Sequence, residues 1–175
     1  MLTDRGVTEL VQSGHRDEAL AVVVRQLRRK VFGLAYSYLH NRDAAEDVAQ
    51  EVFIKVWRAL PAFDGRAALS TWVYAIARNA SLSALRMRRP QVSLSDSAVA
   101  AQIDSASAAT ADEAQLDAAA LRRLVEQLPL KQRQVVTLFY MQEQSHEEVA
   151  AMLAMPVGTV KTLLHRARDR LRQIT

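Results

Sequence analysis

Apolar residues recur at helical spacing along most of this chain, and no segment sustains the strict alternation that is typical of a β-strand. Gly14 is expected to end a first short helix, and amphipathic runs follow over residues 17–29 and 31–39. Two further helices are predicted over residues 43–60 and from about residue 70 to residue 88. The first part of the chain therefore predicts a small helical domain.

The predicted helix over residues 43–60 carries signals at both of its ends. Asp43 and Glu46 have the spacing of an N-cap residue and its partner three positions later, and Pro61 is expected to end the helix. The apolar positions between them form one stripe, which is expected to face a core. These positions are Val48, Val52, Phe53, Val56, Trp57 and Leu60.

The last third of the chain repeats this pattern on a smaller scale. Helices are predicted over residues 116–128, ending before Pro129, and over residues 131–140. We therefore predict an all-α protein with two small helical domains, over residues 1–90 and 116–175.

A helix-turn-helix is predicted at the end of the second domain. Ser145 and Glu148 form a capping box for a short helix, and residues 154–156 connect it tightly to a longer basic helix over residues 157–172. A helix of this kind fits the major groove of duplex DNA, where its polar positions meet base edges and phosphates. The candidate DNA contacts are Thr159, Lys161, Thr162, His165, Arg166 and Arg168.

Residues 91–115 have a different composition from their flanks. Thirteen of these 25 residues are Ala or Ser, and none is aromatic. Such a segment buries too little apolar area to offset the entropy lost on ordering it. We expect a flexible linker between the two domains.

Charge changes the picture because it is unevenly distributed. Residues 1–90 carry 14 basic and 9 acidic side chains, residues 91–115 carry 4 acidic side chains and no basic one, and residues 116–175 carry 9 basic and 6 acidic. Two basic domains thus flank an acidic linker, although a mildly basic surface is as often only a solvated one. The distribution favours polyanionic partners.

Several classes of function are disfavoured. The chain has no Cys, so it has no disulfides, no cysteine-based zinc site and no thiol nucleophile. Its four His residues are scattered, and no phosphate-binding loop or nucleophile elbow is present. We expect no enzyme activity, cofactor, metal or small-molecule substrate. The short apolar runs and the missing secretory signal predict a soluble, cytoplasmic protein.

Two more clusters are candidates for binding. Glu46, Asp47, Gln50 and Glu51 lie on the first turns of the helix over residues 43–60, where acidic groups also suit the helix dipole, so a solvated face is the simpler interpretation. Aromatic and cationic residues interleave from residue 63 to residue 89, a pattern suited to single-stranded DNA. Because large aromatic residues are mostly buried, Trp72 is expected to be a core or boundary residue rather than a stacking platform.

Three segments in order resemble the bacterial RNA polymerase sigma factors of the extracytoplasmic-function (ECF) group in the sigma-70 family. Residues 43–58, Asp-Ala-Ala-Glu-Asp-Val-Ala-Gln-Glu-Val-Phe-Ile-Lys-Val-Trp-Arg, resemble the segment of this family that docks on polymerase. Residues 63–90, which include Ser-Thr-Trp-Val-Tyr-Ala-Ile-Ala-Arg-Asn, resemble the segment that melts and reads the minus-ten element. Residues 128–136 and the helix-turn-helix resemble region four, which binds the minus-35 element.

The resemblance implies roles for the candidate residues and names the partners: core RNA polymerase, promoter DNA and a separate anti-sigma factor. Glu46, Asp47, Gln50 and Glu51 are expected to contact polymerase. The residues expected at the minus-ten element are Trp72, Arg78, Asn79, Arg86 and Arg88. The helix-turn-helix residues given above are expected at the minus-35 element.

The chain departs from the family at two positions of the helix-turn-helix. Ala154 stands where members usually have Gly, so the turn must avoid a left-handed backbone or bear its cost. Leu163 stands where members usually have Arg, so one expected DNA contact is absent. Two other functions stay open: a stand-alone helix-turn-helix regulator, and a sigma mimic that sequesters an anti-sigma factor.

Overall fold

A computed structural model describes residues 4–88 and 123–174, and within these ranges the chain forms helices and no strand. We call residues 4–88 the first block and residues 123–174 the second block. The helices are α1 (Asp4–Gln12), α2 (Arg16–Leu39), α3 (Arg42–Ala59), α4 (Leu69–Arg88), α5 (Leu130–Val136), α6 (His146–Leu153) and α7 (Val157–Ile174). The all-α prediction with two helical units is confirmed, whereas the predicted linker over residues 91–115 lies outside the described residues.

In the first block, α2 is the central helix, and α1, α3 and α4 pack against it. It is continuous through Lys30, because no Gly or Pro separates the two amphipathic runs that predicted two pieces. Gly14, with φ of 84°, separates α1 from α2 as predicted. Leu34 of α2, Leu60 and Leu69 are completely or almost completely buried at the centre of this core.

Helix α3 begins earlier than the sequence predicted, and its cap is a different residue. Asn41 has extended backbone angles, and its side-chain oxygen accepts a hydrogen bond from the Ala44 N–H at 2.9 Å. Asp43 is therefore inside the helix, and Glu46 pairs with Arg42 instead of capping. The prediction of Asp43 as N-cap is wrong because the amide of Asn41 reaches the first free backbone donors two residues sooner.

The connection from α3 to α4 follows the predicted signals. A 3₁₀ turn, Leu60–Ala62, contains Pro61 and follows directly after α3. Gly65 has φ of 72°, and the side chain of Asp64 accepts a hydrogen bond from the Arg66 N–H at 3.0 Å. Such a turn needs a residue that tolerates positive φ, which glycine supplies.

The second block is built from shorter helices. Helices α5 and α6 both pack on α7, and Val135, Leu138 and Met152 form the completely buried centre. The predicted helix over residues 131–140 is α-helical only to Val136. It then continues as a π-helical turn, Thr137–Met141, which sequence periodicity does not reveal.

In the second block, the first predicted helix is only partly described, whereas the predicted capping box is confirmed. Of the helix predicted over residues 116–128, residues 123–126 are helical, and the part before residue 123 lies outside the described residues. The capping box is confirmed: the Glu148 N–H donates to the Ser145 hydroxyl at 3.2 Å, and the Ser145 N–H donates to the Glu148 carboxylate at 3.0 Å. Helix α6, its turn and α7 form the predicted helix-turn-helix.

The two blocks contact each other. Helix α6 lies against α4, while α5 and the π-helical turn lie against α2. The buried residues of both blocks consequently form one connected apolar cluster.

Candidate functional site

The acidic cluster of α3 is a solvent-facing surface. Glu46, Asp47, Gln50 and Glu51 are all exposed. Glu46 pairs with Arg42 at 3.1 Å, and Glu51 pairs with Lys55 at 2.6 Å. Within residues 4–88 and 123–174, Asp47 forms no ion pair, so its carboxylate is the least neutralised of the three. Exposed pairs of this kind contribute little to stability, which leaves the cluster available for a partner.

An exposed apolar residue extends this surface and was missed by the sequence reasoning. Ile54 is 52% exposed, and it lies one turn beyond Gln50 and Glu51 and two turns beyond Asp47 on the same side of α3. Its helical spacing from the acidic residues was the available signal. We call Glu46, Asp47, Gln50, Glu51 and Ile54 the α3 surface. Ile54 gives this otherwise polar surface some exposed apolar area next to its acidic groups.

Trp57 was expected in the core-facing stripe but lies at the boundary, with 38% of its surface exposed. The guanidinium of Arg16 lies 3.7 Å from the centre of the indole and donates to the Trp57 carbonyl oxygen. The indole N–H donates to the Asp17 carboxylate at 2.9 Å. The start of α2 thus holds the end of α3 through a cation–π contact and hydrogen bonds, which fixes the orientation of the α3 surface.

The five minus-ten candidates of α4 do not share one environment. Asn79, Arg86 and Arg88 are exposed. Trp72 is partly buried, with its ring 5.0 Å from that of Phe63, which is the boundary position expected for it. Tyr74, on another side of α4, is buried; burial raises its pKa to about 12, and the charge of Glu148 acts in the same direction.

Arg78 is the exception among the cations of α4. It is only partly exposed and lines a cleft of about 490 Å³ between α4 and the helix-turn-helix. The other residues of this cleft are Thr71, Ala75, Ala150, Ala151, Ala154, Met155 and Pro156. The structure therefore places one predicted minus-ten residue on a cleft that it shares with the helix-turn-helix.

All six candidate residues of α7 are exposed, on a helix whose other side packs on α5 and α6 through Val160, Leu164 and Ala167. Two of the six already have local partners. The Thr162 hydroxyl donates to the Gly158 carbonyl at 2.9 Å, and Nδ1 of His165 lies 2.9 Å from the Asp169 carboxylate. Thr159, Lys161, Arg166 and Arg168 are consequently the candidate side chains for which no local side-chain partner is recorded among the described residues.

The two departures from the family have structural counterparts. Ala154 adopts the left-handed conformation, with φ of 52° and ψ of 53°, so the turn bears the cost that glycine would avoid. Leu163 is partly buried and packs against the apolar core of the second block. Its side chain therefore contributes to the packing of the second block and does not lie on the exposed face of α7.

No group of His, Asp and Glu that could hold a metal ion occurs within residues 4–88 and 123–174. In the same part of the chain, no helix is both long and apolar enough to span a membrane.

Comparison with known proteins identifies two conserved units in order. The family model for sigma-70 region 2 matches residues 23–91, and that for sigma-70 region 4 matches residues 118–171. The ECF RNA polymerase sigma-E factor of Escherichia coli K12 is 37% identical, with 96% of this chain and 92% of the relative aligned. The chain belongs to the ECF group of the sigma-70 family. The ECF sigma factor SigW of Bacillus subtilis is 36% identical over 93% of this chain and 91% of that protein.

Two solved structures share the fold. The sigma factor RpoE of Bartonella quintana, in complex with the anti-sigma factor NepR, superposes with a TM-score of 0.59 and 25% identity, covering 87% of this chain and 94% of that one. CnrH, in complex with the cytosolic domain of CnrY, has the same fold, with a TM-score of 0.67 and 24% identity over 98% and 96% of the two chains. In family terms, the first block contains most of region 2 and the second block contains most of region 4.

Proposed function

We propose that this sigma factor binds core RNA polymerase through α3, the minus-ten element through α4 and the minus-35 element through α7. Residues 1–90 form the domain that docks on core RNA polymerase and reads the minus-ten element, and residues 116–175 form the domain that binds the minus-35 element. Residues 91–115 link the two domains. The observation that carries the proposal is the ordered pair of sigma-70 regions, in which α3 and α7 each present the exposed residues that their role requires.

The α3 surface docks on the polymerase through a basic, partly apolar counterpart. Asp47 supplies an unpaired carboxylate, and Ile54 supplies apolar area at the end of the same stripe. Complementary charge brings the partners together and fixes their register, while burial of the apolar side chain adds affinity. The clamp that Arg16 and Asp17 form on Trp57 keeps this stripe in place.

Helix α4 reads the minus-ten element as a single strand. The exposed amide of Asn79 can form paired hydrogen bonds with a base edge, and Arg78, Arg86 and Arg88 supply positive charge for phosphates. Because Trp72 packs on Phe63, it supports the neighbouring face of α4 and is available to a base only at its exposed edge.

Helix α7 binds the minus-35 element as duplex DNA. Thr159, Lys161 and Thr162 occupy its first turns, where recognition helices meet base edges, and Arg166 and Arg168 lie farther along. Leu163 leaves this face without one arginine of the family pattern. The chain acts by binding, with no catalysis of its own, beside the polymerase in the cytoplasm.

Reconstituted transcription tests the proposal. The purified chain is added to bacterial core RNA polymerase on fragmented genomic DNA, and RNA starts are mapped. We expect starts at a defined set of promoters that core alone does not use. Tight, specific duplex binding by the chain alone, without new starts, would instead support a stand-alone regulator. Capture of an anti-sigma factor without any responsive promoter would support the sequestering mimic.

Matched variants test the α3 surface. Asp47→Lys and Ile54→Ala are expected to weaken binding to core polymerase, whereas Glu18→Lys, an exposed carboxylate on α2, serves as the charge-matched control. Affinity is measured by fluorescence anisotropy of labelled chain. Equal affinities of Asp47→Lys and the control would show that α3 is not the docking surface.

Matched variants also separate the two DNA elements. Asn79→Ala should weaken binding of holoenzyme to a minus-ten single strand, and Ser83→Ala, exposed on the same helix, should not. Arg166→Ala should weaken minus-35 duplex binding by about tenfold or more, and Arg170→Ala on α7 should have a smaller effect. Indistinguishable results within either pair would contradict that assignment.

The solved Bartonella relative is bound to an anti-sigma factor, and we propose a partner of the same kind for this chain. Such a partner would cover surfaces that face the polymerase. Purification of the tagged chain from native extract should yield core polymerase and one small additional protein. Recovery of polymerase alone would count against the anti-sigma partner.

A further inference from the structure

Four cationic side chains lie close together in the middle of α2. Arg25, Arg28, Arg29 and Lys30 follow one another within two turns, whereas the acidic residues of α2 are confined to its first turn. Like charges three and four positions apart repel each other and destabilise a helix. This cluster therefore lowers the stability of α2 unless an anion lies beside it.

Most of this positive charge has no carboxylate partner in the described part of the chain. Lys30 forms an ion pair with Glu148 of α6. Arg25, Arg28 and Arg29 are exposed and form no ion pair with any described residue. Three uncompensated positive charges within little more than one turn favour a ligand that carries more than one negative charge.

Part of the cluster lines a cleft between α2 and the segment that follows the π-helical turn. The cleft has a volume of about 270 Å³. Arg25, Arg29 and Lys30 lie on its α2 side, and residues 142–144 form the opposite wall. Arg28 does not line this cleft and lies instead on a neighbouring groove of α2. The cleft thus surrounds a space for a small molecule with three cations.

Hydrogen bonds fix the shape of the wall opposite α2. The Gln142 N–H donates to the Thr137 carbonyl oxygen at 3.0 Å, and the Gln144 N–H donates to the Leu138 carbonyl oxygen at 3.1 Å. The side-chain amide of Gln144 donates to the Gln142 carbonyl oxygen at 2.5 Å. Gln142 also packs closely on α2, since a Cβ atom at Gly33 would lie 2.9 Å from its Oε1. A site whose walls are ordered before binding loses less entropy when a ligand enters.

The donors of the cleft are suited to phosphate. A guanidinium presents parallel N–H donors that match two phosphate oxygens, and an ammonium adds a compact positive charge. Arg25 and Arg29 are four positions apart, so they lie on the same side of α2 and can bind two linked phosphates. A concave cleft suits a small ligand better than the backbone of a DNA duplex. We propose that this cleft is a binding site for a diphosphate group, carried by pyrophosphate or by a nucleoside diphosphate.

Isothermal titration calorimetry of the full chain with sodium pyrophosphate, at constant ionic strength, tests the proposal. We expect one pyrophosphate to bind per chain. Arg25→Ala and Arg29→Ala should each weaken binding by about fivefold or more, because each removes a charge-assisted contact. Arg28→Ala removes the same charge from the same exposed side of the helix but outside the cleft, and it should have little effect. Equal weakening by all three variants, or no binding by the parent, would overturn the proposal.

A second variant should change the affinity in the opposite direction. Glu143 is an exposed carboxylate on the wall of the cleft, where it repels an anionic ligand. Glu143→Gln should therefore tighten pyrophosphate binding by about twofold or more, and a gain in affinity does not arise from a damaged fold. Glu147→Gln makes the same charge change at an exposed position of α6 outside the cleft. Equal affinities of these two variants would overturn the proposal.

Further titrations identify the source of the diphosphate group. Tighter binding of ADP than of pyrophosphate would support a nucleoside diphosphate, and weaker binding of ADP would support free pyrophosphate. Orthophosphate that binds as tightly as pyrophosphate would overturn the assignment of two linked phosphates. Binding of a non-promoter duplex that needs Arg25 and Arg29 and is not displaced by pyrophosphate would overturn the small-molecule site. These measurements use neither polymerase nor a promoter, so their failure leaves the proposed function unaffected.

Discussion

The two blocks reach a helical fold by different means. The first block has three helices of 18 to 24 residues and buries Leu34, Leu60 and Leu69 almost completely. In the second block, α5 and α6 have 7 and 8 residues, shorter than helices that persist alone in water. The second block therefore depends more on its caps and on contacts with its neighbour.

The two blocks also differ in which residues adopt a positive φ. The first block uses Gly14 and Gly65 for two of its positive-φ positions. The second block places Glu143 and Ala154 in the left-handed region, with φ of 53° and 52°. Residues with a Cβ adopt this region at a cost. Among the described residues, the second block thus has two non-glycine residues in the left-handed region, whereas the first block has one, His40, with φ of 49°.

The largest expected effect comes from removing core volume. Leu34→Ala should lower the free energy of unfolding by about 2–5 kcal/mol, because it leaves a cavity at the centre of the first block. Leu138→Ala removes the same volume from the second block. Both tryptophans, Trp57 and Trp72, lie in the first block. Tryptophan fluorescence during urea unfolding should therefore shift strongly for Leu34→Ala and little for Leu138→Ala; equal shifts would show that the blocks unfold as one unit.

The next effect depends on pH and concerns the boundary between the blocks. Burial lowers the pKa of His40 to about 4, the positive charge of Arg133 acts in the same direction, and the hydrogen bond to the Ser37 carbonyl opposes it. The ring of Tyr36 is its other neighbour. Because the folded pKa lies below the ordinary 6.5, the stability that neutral His40 contributes is present above pH 6.5. It is lost between pH 6.5 and about 4, on the order of 3 kcal/mol in all.

Urea unfolding at several pH values measures this loss. His40→Asn removes the titrating group, and Asn tolerates the left-handed backbone of this position, with φ of 49°. We expect a shallower decline of stability between pH 6.5 and 4 for this variant than for the parent. Identical slopes would show that other groups account for the acid sensitivity.

A smaller effect is expected from the capping box of the second block. Ser145→Ala should cost about 1 kcal/mol, because it leaves the Glu148 N–H without its hydroxyl partner. Amide hydrogen exchange in α6 should accelerate, while exchange in α3 should not change. Ser83→Ala, exposed within α4, is the matched control. Unchanged exchange in α6 would mean that contacts with α4 and α7 suffice to hold it.

The smallest effect has the opposite sign. Ala154→Gly relieves the left-handed backbone but adds entropy to the unfolded chain, so the net gain should be about 0.5–1 kcal/mol. Ala151→Gly, within α6, should instead destabilise by about 1 kcal/mol. Thermal unfolding distinguishes the two variants, and destabilisation by Ala154→Gly would mean that the turn relaxes away from φ of 52° in solution.

Much of the fold could be predicted from the sequence because its signals are local. The stops at Gly14 and Pro61 and the capping box at Ser145 depend on residues within one turn of each other, and each is found where it was predicted. The cap of α3 was misassigned because Asn41 and Asp43 are both good caps, and only the backbone angles decide between them.

The candidate binding residues could be predicted only as patterns on single helices. Exposure of the acidic residues of α3 and of the cations of α7 follows from helical periodicity. The partly exposed position of Arg78 does not, because the other side of the cleft that Arg78 lines is formed by residues such as Ala150 and Pro156, more than 70 positions away. Periodicity also predicted that Trp57 faces the core, whereas 38% of its surface is exposed. The sequence pattern of α3 could not reveal this position, because the guanidinium that lies over the indole belongs to Arg16 of another helix.

Glu148 has a consequence for genetics. The Glu148 carboxylate completes the cap of α6 and also forms an ion pair with Lys30 in the other block. A mutation in this one codon therefore removes both a cap within the second block and a contact between the two blocks. Alleles that change Lys30 should therefore lose only the ion pair between the blocks. Alleles that change Glu148 should lose that ion pair and the cap of α6 together, so they should lower the stability of the protein more.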